Sequence, residues 1–153
     1  MFKTPVNILL VDDEKDFVEM LSLRLKAFDK NVTPAYSGKE CLEKLKANNI
    51  DVVILDIKMP EMDGMQTLTE IKRRFPLVEV IMLTGHGSIE TAVYGMKTGA
   101  FDYILKPANL EELLAKIMNA KKSKEAQEER IRSAEHHALL MLSRKGGRGP
   151  LPT

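Results

Sequence analysis

Carboxylates, a hydroxyl and an ammonium group directly follow the short apolar runs of this sequence. Asp12 and Asp13 follow VNILLV, and Asp56 follows DVVIL. Thr84 follows EVIML, and Lys106 follows FDYIL. Each has an ordinary explanation when taken alone, because an aspartate can cap a helix, a threonine can satisfy a turn and a lone lysine is usually solvated. Their shared position, each just past an apolar run, predicts a common site.

The apolar runs alternate with segments whose apolar residues recur at helical spacing. Continuous apolar runs indicate strands buried on both faces, and strand–helix alternation with short connections indicates a parallel sheet with right-handed crossovers. The predicted fold is therefore a doubly wound α/β sandwich within residues 1–120. The predicted strands cover 6–11, 31–35, 51–55, 79–83 and 101–105, and the predicted helices begin near 15, 37, 64, 88 and 110.

Ligands of open α/β sheets bind beyond the carboxyl ends of the strands, so the polar residues should meet at one edge of the sheet. Three neighbouring carboxylates would repel one another, and Mg²⁺, for which Mn²⁺ may substitute, is a hard cation that relieves this. A carboxylate beside a metal ion, an ammonium and a hydroxyl suits phosphoryl transfer, with Asp56 as the acceptor. Neither G-x-x-x-x-G-K-[ST] nor G-x-G-x-x-G occurs, so no nucleotide site is predicted.

Four motifs give the sequence a strong resemblance to a known family. They are ILLVDDE (8–14), VVILDIKMPEMDG (52–64), VIMLTGHG (80–87) and GAFDYILKP (99–107). In this order and spacing they resemble the receiver domain of two-component response regulators, the CheY-like superfamily. The segment LTGHGSIETAV (83–93) is similar to the corresponding segment in receivers of NtrC- and FixJ-type regulators. The resemblance implies a flavodoxin-like fold with strand order 2-1-3-4-5.

The resemblance also implies a role for individual residues. Asp56 would accept a phosphoryl group from a sensor histidine kinase or a phosphotransfer protein. Asp12, Asp13 and Asp56 would hold Mg²⁺ together with the backbone carbonyl of Lys58. Thr84 and Lys106 would contact the phosphoryl group.

The same resemblance implies a switch and a proline isomer. Thr84 and Tyr103 would form the switch that reshapes the face made by the fourth helix, fifth strand and fifth helix. Lys106-Pro107 would be a cis peptide, and His86 and Lys58 would affect the lifetime of the acyl phosphate.

Two alternative functions remain open from the sequence. The first is the detached or truncated receiver of a transcription regulator, because the printed sequence contains no output domain. The second is a phosphatase with an aspartate nucleophile. Haloacid-dehalogenase phosphatases need a second aspartate two residues after the nucleophile, where this chain has Lys58.

Residues 121–153 form a predicted C-terminal extension, partly helical and then disordered from Gly146. The extension holds eight Lys/Arg and four Asp/Glu, a net charge of +4, whereas residues 1–120 hold 15 and 18, a net charge of −3. Its basic residues are interleaved with acids and lack aromatics, so direct nucleic-acid binding is not expected. A weak heptad, interrupted at Lys124 and Gln127, suggests pairing with a second copy. The heptad positions are 113, 117, 120, 124, 127, 131, 134, 138 and 141.

The remaining features of the sequence indicate an ordinary intracellular protein. Cys41 is the one cysteine and is predicted to be a buried small hydrophobe. No stretch approaches the ~18 apolar residues of a membrane span, so a cytoplasmic location is expected.

Overall fold

One five-stranded parallel sheet with helices on both faces forms the body of the protein. The computed structural model describes residues 5–58, 63–85 and 89–146. The strand order is β2-β1-β3-β4-β5, which confirms the predicted flavodoxin-like fold. The strands are β1 (Asn7–Val11), β2 (Asn31–Ala35), β3 (Val52–Asp56), β4 (Glu79–Thr84) and β5 (Asp102–Leu105). The helices are α1 (Lys15–Lys26), α2 (Gly38–Ala47), α3 (Gly64–Arg74), α4 (Ile89–Thr98) and α5 (Leu110–Gly146).

The three central strands bury both of their faces, as their continuous apolar sequences predict. Alternate residues of β1, β3 and β4 pack against α2 and α3 on one face and against α1 and α5 on the other. The first layer contains Leu9, Val53 and Val80, and the second contains Ile8, Ile54 and Ile81. Burying each such side chain contributes roughly 1.5–3 kcal/mol. Cys41 lies in the first layer, and burial raises the pKa of its thiol to about 12, so it is the inert residue expected.

The two edge strands depart from the prediction of burial on both faces. Residues 31–34 of β2 are only partly covered, and Tyr103 and Leu105 of β5 are exposed. Each edge strand has one neighbour, β1 or β4, so a row of its backbone groups has no partner strand. Pro34 fits on β2 because an edge strand tolerates a residue that cannot donate to the ladder, and the strand continues past it to Ala35.

Side-chain caps fix the start of three helices. Ser37 Oγ accepts from the backbone N–H of Glu40 at 3.1 Å, which is half of the capping box that the S-x-x-E spacing of residues 37–40 indicates. Asn109 Oδ1 accepts from Glu112 N–H at 3.0 Å at the start of α5. A complete capping box occurs at Asp63 and Gln66. This box sets the first turn of α3 immediately after β3 and its following loop.

The long helix α5 continues without a break across the predicted boundary at residue 120. Leu113, Ile117 and Ala120 are buried against the sheet, and the same stripe then reaches Lys124, which is 7% exposed. Lys124 interrupts the predicted heptad because it is paired: its Nζ lies 3.3 Å from Asp51 Oδ1 and 3.0 Å from Glu128 Oε2.

Two acids at the amino ends of β3 and β4 hold this part of α5. Asp51 is 2% exposed, accepts from Asn7 N–H at 2.9 Å and pairs with Lys121 at 3.0 Å as well as with Lys124. On β4, Glu79 accepts a 2.6 Å hydrogen bond from Ser123 Oγ and pairs with Lys72. We call these contacts the α5 seam: Asp51, Glu79, Lys121, Ser123, Lys124 and Glu128. Beyond it, residues 129–144 are exposed.

Replacing Asp51 should destabilise the fold in a pH-dependent way. Burial alone would raise the Asp51 pKa, but the Asn7 hydrogen bond and the two lysines outweigh it and leave the pKa below its usual value. A lowered folded-state pKa gives stability that is present above the unfolded pKa of about 3.9 and is lost as pH falls through the folded value. We expect Asp51→Asn to lower the free energy of unfolding by about 1.5–3 kcal/mol at pH 7.

Urea unfolding of both proteins between pH 7 and pH 3 tests this expectation, and the difference should shrink at the acid end. Glu129→Gln is the matched control, because its ion pair with Arg132 is exposed and should contribute little. Equal stability of wild type and Asp51→Asn at pH 7 would contradict the assignment.

Candidate functional site

The predicted site residues meet at the carboxyl edge of the sheet, where backbone hydrogen bonds between neighbouring strands continue one residue past the ends of β1 and β5. Asp12 N–H donates to Ala35 O at 3.1 Å, and Lys106 N–H donates to Thr84 O at 2.8 Å. Because β1, β3, β4 and β5 run parallel, the residues that end them share one edge. The site is thus a product of the sheet order.

Three carboxylates form an acidic cluster at this edge. Asp12, Asp13 and Asp56 each offer one oxygen, and these oxygens all lie within 4.8 Å of one another. Asp12 is fully buried and Asp56 is 4% exposed, whereas Asp13 faces solvent. The cluster therefore has a buried floor and an open side. Its hard oxygen donors fit an octahedral cation that keeps some of its waters.

Lys106 supplies the positive charge that faces the cluster. Its Nζ lies 3.0 Å from Asp12 Oδ2 and 3.5 Å from Asp56 Oδ1. Burial alone would lower the pKa of this ammonium, but the Asp12 hydrogen bond and the attraction of Asp56 raise it above its usual value. Lys106 is therefore charged, and it bridges the two buried acids.

One ammonium does not fully compensate two buried carboxylates. Burial, followed by repulsion from Asp12, raises the pKa of Asp56 to about 6, although Lys106 and the Lys58 N–H act in the opposite direction. The Lys58 N–H donates to Asp56 Oδ1 at 3.2 Å. The negative charge of the site is thus not fully neutralised by Lys106, and a divalent cation would neutralise the remainder.

Thr84 and Tyr103 lie on two neighbouring strands but not in the cluster. Thr84 is buried at the end of β4, and its Oγ1 is 3.5 Å from Ile104 O, so the hydroxyl is turned towards β5. Tyr103 is 39% exposed, and the Nζ of Lys116 lies 5.5 Å from its ring centroid. The switch role of this pair stays a prediction.

Several predicted features fall in or beside parts of the chain that are not described. His86 and the segments 59–62 and 86–88 lie outside the described residues, as do residues 147–153 of the predicted disordered end. The carbonyl of Lys58 as a metal ligand stays a prediction. Lys106-Pro107 is a cis peptide, as the resemblance implied.

Two residues at the edge of the site were not singled out from the sequence. The ring centroid of Phe17, on the first turn of α1, is 4.9 Å from Lys106 Nζ. Phe17 follows the Asp12–Asp13 pair closely in sequence, in the first turn of the helix that begins at Lys15, and this closeness was the available signal. Gly64 packs on the backbone of the phosphoacceptor candidate: a Cβ there would meet Ile57 Cα and lie 2.6 Å from Asp56 O. That close approach arises from the three-dimensional fold and has no sequence signal of its own.

Comparison with known proteins decides the family. Residues 8–118 match the profile of the response regulator receiver domain. The chain belongs to the response regulator receiver family. The receiver is 40% identical over 115 residues to the transcriptional regulatory protein ZraR of Escherichia coli strain K12, which covers 75% of this chain and 26% of ZraR. The chain therefore spans about a quarter of that relative's length.

A second relative is similar beyond the receiver profile. The transcriptional regulatory protein GlrR of the same strain is 41% identical over 135 residues, 88% of this chain and 30% of GlrR. A match of that length must continue past residue 118 into the later part of α5. The resemblance to transcriptional regulators of the NtrC type is thereby confirmed.

Solved structures support the same assignment. A response regulator receiver domain protein from Clostridium thermocellum has a TM-score of 0.77 and 40% identity, covering 80% of this chain and 98% of that one. NtrX from Brucella abortus, in complex with ADP, has a TM-score of 0.78 and 31% identity, covering 82% of this chain and 29% of NtrX. Within the described ranges, no helix combines the length and apolarity needed to cross a membrane.

The close approach of Gly64 to the β3 end gives a specific prediction. Gly64→Ala should push the start of α3 away from Asp56 and Ile57, because the added Cβ meets backbone that cannot rotate aside. We expect a loss of about 1–3 kcal/mol in the free energy of unfolding, measured in urea. Gly85→Ala is the control, since among the described residues a Cβ there meets nothing within 4 Å. Indistinguishable unfolding midpoints for the two variants would show that the approach is not restrictive.

Proposed function

We propose that this receiver accepts a phosphoryl group on Asp56 from a histidine kinase or a phosphotransfer protein, in the cytoplasm. The observation that carries the proposal is the position of Asp56, which ends a central strand beside two other carboxylates and 3.5 Å from the Lys106 ammonium. An aspartate in these surroundings can act as a nucleophile towards phosphorus while cations neutralise the transferred oxygens.

In the proposed transfer, an Asp56 carboxylate oxygen forms a bond to phosphorus as the phosphorus–nitrogen bond of a phosphohistidine breaks. The electron pair of that bond stays on the imidazole nitrogen, and the product is an acyl phosphate. The Lys106 ammonium shifts from the Asp56 carboxylate to a phosphoryl oxygen, and the Thr84 hydroxyl donates a hydrogen bond to a second phosphoryl oxygen. Asp12, Asp13, Asp56 and the Lys58 carbonyl would hold Mg²⁺ or Mn²⁺, which when bound neutralises phosphoryl charge.

We further propose that phosphorylation changes the α4-β5-α5 face through Thr84 and Tyr103. The Thr84 hydroxyl donates to Ile104 O over a long distance of 3.5 Å, so a phosphoryl oxygen would be a stronger partner. The half-exposed ring of Tyr103 would then turn inward, shifting the population between two packings. The altered face would signal to a downstream protein of unknown identity.

The extended α5 is proposed to pair with a second copy of the chain. Its heptad continues beyond the body at Ile131, Ala134, Ala138 and Met141, which are all exposed. In a parallel in-register pair, Arg130 comes just before the core position Ile131, and Glu135 comes just after the next core position, Ala134. Each Arg130 would then face Glu135 of the other copy, and this charge complementarity favours the parallel pair. The alternative dimer surface is the α4-β5-α5 face, where Ile89, Tyr94 and Leu105 are exposed.

A second candidate function is the receiver of a transcription regulator, either as a separate chain or as part of a longer one. It is favoured by the similarity to ZraR and GlrR, of which this chain spans 26% and 30%. Sequencing the surrounding reading frame and its neighbours would decide between them. The phosphatase alternative gains no support from the fold, and we propose that turnover is confined to the protein's own acyl phosphate.

Phosphorylation of Asp56 can be tested by intact mass. Incubation with acetyl phosphate and Mg²⁺ should add one phosphoryl group per chain, because Asp56 is the carboxylate placed for attack. Asp56→Asn should lose this gain, and Asp29→Asn, a surface variant in the turn after α1, should keep it. Labelling of Asp56→Asn at the full rate would overturn the proposal, and sustained hydrolysis of phosphate esters by wild type would revive the phosphatase alternative.

The proposed helix pair can be tested by charge exchange in the full chain, with light scattering before and after phosphorylation. Arg130→Glu should weaken the dimer, because two glutamates then face each other, and adding Glu135→Arg should restore it. Arg132→Glu is the control, since Arg132 points away from the heptad core and pairs with Glu129 of its own helix. If Arg130→Glu leaves the dimer unchanged, the dimer forms through the α4-β5-α5 face instead. If the protein scatters as a monomer before and after phosphorylation, the pairing hypothesis is wrong.

A further inference from the structure

Lys106 has an aromatic neighbour in addition to its acidic ones. Its ammonium lies 3.0 Å from Asp12 and 3.5 Å from Asp56, and the centroid of the Phe17 ring is 4.9 Å away. A cation within about 6 Å of a ring centroid is attracted to the negative face of the ring. The ammonium is therefore in contact with two carboxylates and with one aromatic face.

The Phe17 ring is itself fixed by the body of the protein. It packs against the core layer that contains Ile8, Leu10 and Val18, and its helix begins at Lys15 with Val18 N–H bonded to Glu14 O at 3.1 Å. The start of α1 and the end of β5 meet at the same edge of the sheet. The ring thus provides a rigid surface for a flexible side chain.

Lys106 also has a competing partner on the solvent side. Glu14 Oε1 is 4.0 Å from the ammonium, and the Glu14 side chain is 70% exposed. An ammonium drawn towards Glu14 would leave the Asp12–Asp56 pair and move into water. The attraction of Glu14 and that of the two buried acids act on the same mobile group, so the contact with the Phe17 ring adds to the attraction of the buried acids.

We propose that Phe17 is a positioning residue for phosphoryl transfer, acting through Lys106. Its ring holds the ammonium over the Asp12–Asp56 edge and away from Glu14. This rests on the proposed function of Asp56. The transfer itself is unchanged: the Asp56 oxygen–phosphorus bond forms as the bond between phosphorus and the donor breaks, and the donor keeps the electron pair. Phe17 touches neither phosphorus nor donor, and it determines how often Lys106 is in place to receive the phosphoryl oxygen.

The contribution expected of the ring follows from the strength of such contacts. A cation–aromatic attraction of about 1 kcal/mol corresponds to roughly five-fold in rate when it is lost. Since the ring orients Lys106 and does not bind the donor, the loss should fall on the maximal rate. The donor concentration at half-maximal rate and the affinity for Mg²⁺ should change less than two-fold.

The test compares Phe17→Leu with Phe17→Trp, using acetyl phosphate as donor and saturating Mg²⁺. Phe17→Leu keeps an apolar side chain and removes the aromatic face, and Phe17→Trp restores it. We expect a roughly five-fold lower maximal rate for Phe17→Leu and a rate within two-fold of wild type for Phe17→Trp. Tyr36→Leu is the matched control, because it removes the similar contact of Lys15 with a ring outside the site at 5.6 Å.

A spectroscopic measurement detects the contact without any phosphorylation. The ring current of Phe17 should displace the Lys106 Hε resonance in ¹H–¹³C spectra, assigned by its absence in Lys106→Arg. The displacement should vanish in Phe17→Leu and persist in Tyr36→Leu. Thermal unfolding of each variant separates a folding defect from a positioning effect, and Phe17→Tyr, which keeps the ring, replaces Phe17→Trp if the larger side chain unfolds the protein.

The outcomes separate this inference from the function on which it rests. If wild type takes no phosphoryl group, the proposed function fails, whatever the ring-current result. If wild type is phosphorylated and folded Phe17→Leu matches its maximal rate, the positioning role is overturned. Loss of rate that neither Phe17→Trp nor Phe17→Tyr restores would also overturn it, because the effect would then be one of packing.

Discussion

A single ammonium group, that of Lys106, allows two buried carboxylates to lie side by side at the edge of the sheet. A charge in the interior costs several kcal/mol unless it is paired, and the carboxylates of Asp12 and Asp56 are both buried. Lys106 reaches both, but it carries one positive charge and the site carries more than one negative charge. Burial, and after it repulsion from Asp12, raises the pKa of Asp56 to about 6. A site left short of positive charge in this way is suited to hold a cation and to accept a phosphoryl group beside it.

The strand that carries Asp56 is held at its other end by a similar device. Asp51, just before β3, is compensated by Lys121 and Lys124, as Asp56 is by Lys106. In both places the acid comes from the middle of the chain and the base from its later part. Part of the opposite charge of residues 1–120 and residues 121–153 is therefore neutralised in ion pairs within the molecule. Lys121 and Lys124 serve the fold, so they add little to any basic surface.

The sequence was sufficient for the features that depend on pattern and topology. Continuous apolar runs identified the strands, and the rule that parallel strands end at one edge brought Asp12, Asp56 and Lys106 together before any distance was known. It was insufficient where a contact joins segments that no periodicity relates. Lys124 read as a break in a heptad because its partner, Asp51, belongs to another element. Phe17 read as one apolar residue among several on α1, since the lysine that makes it distinctive, Lys106, follows β5.

The candidate site at the carboxyl edge of the sheet is connected to the exposed part of α5 through β5. Thr84 contacts the carbonyl of Ile104, and Leu105, the residue after Ile104, pairs with Thr84 of β4. Lys116 of α5 donates to Tyr103 O of β5 at 2.8 Å. An edge strand with one neighbour has fewer ladder bonds to lose than a central strand. Of the two edge strands, β5 has four residues and β2 has five, so β5 can shift at less cost than the central strands. Any rotation of α5 that follows is enlarged by its length. Residues 129–144 extend about 24 Å beyond the seam, so a rotation of about 10° would move the far end by about 4 Å. The α5 seam would oppose such a rotation, because Asp51 and Glu79 hold the helix to the sheet at the base of the exposed part.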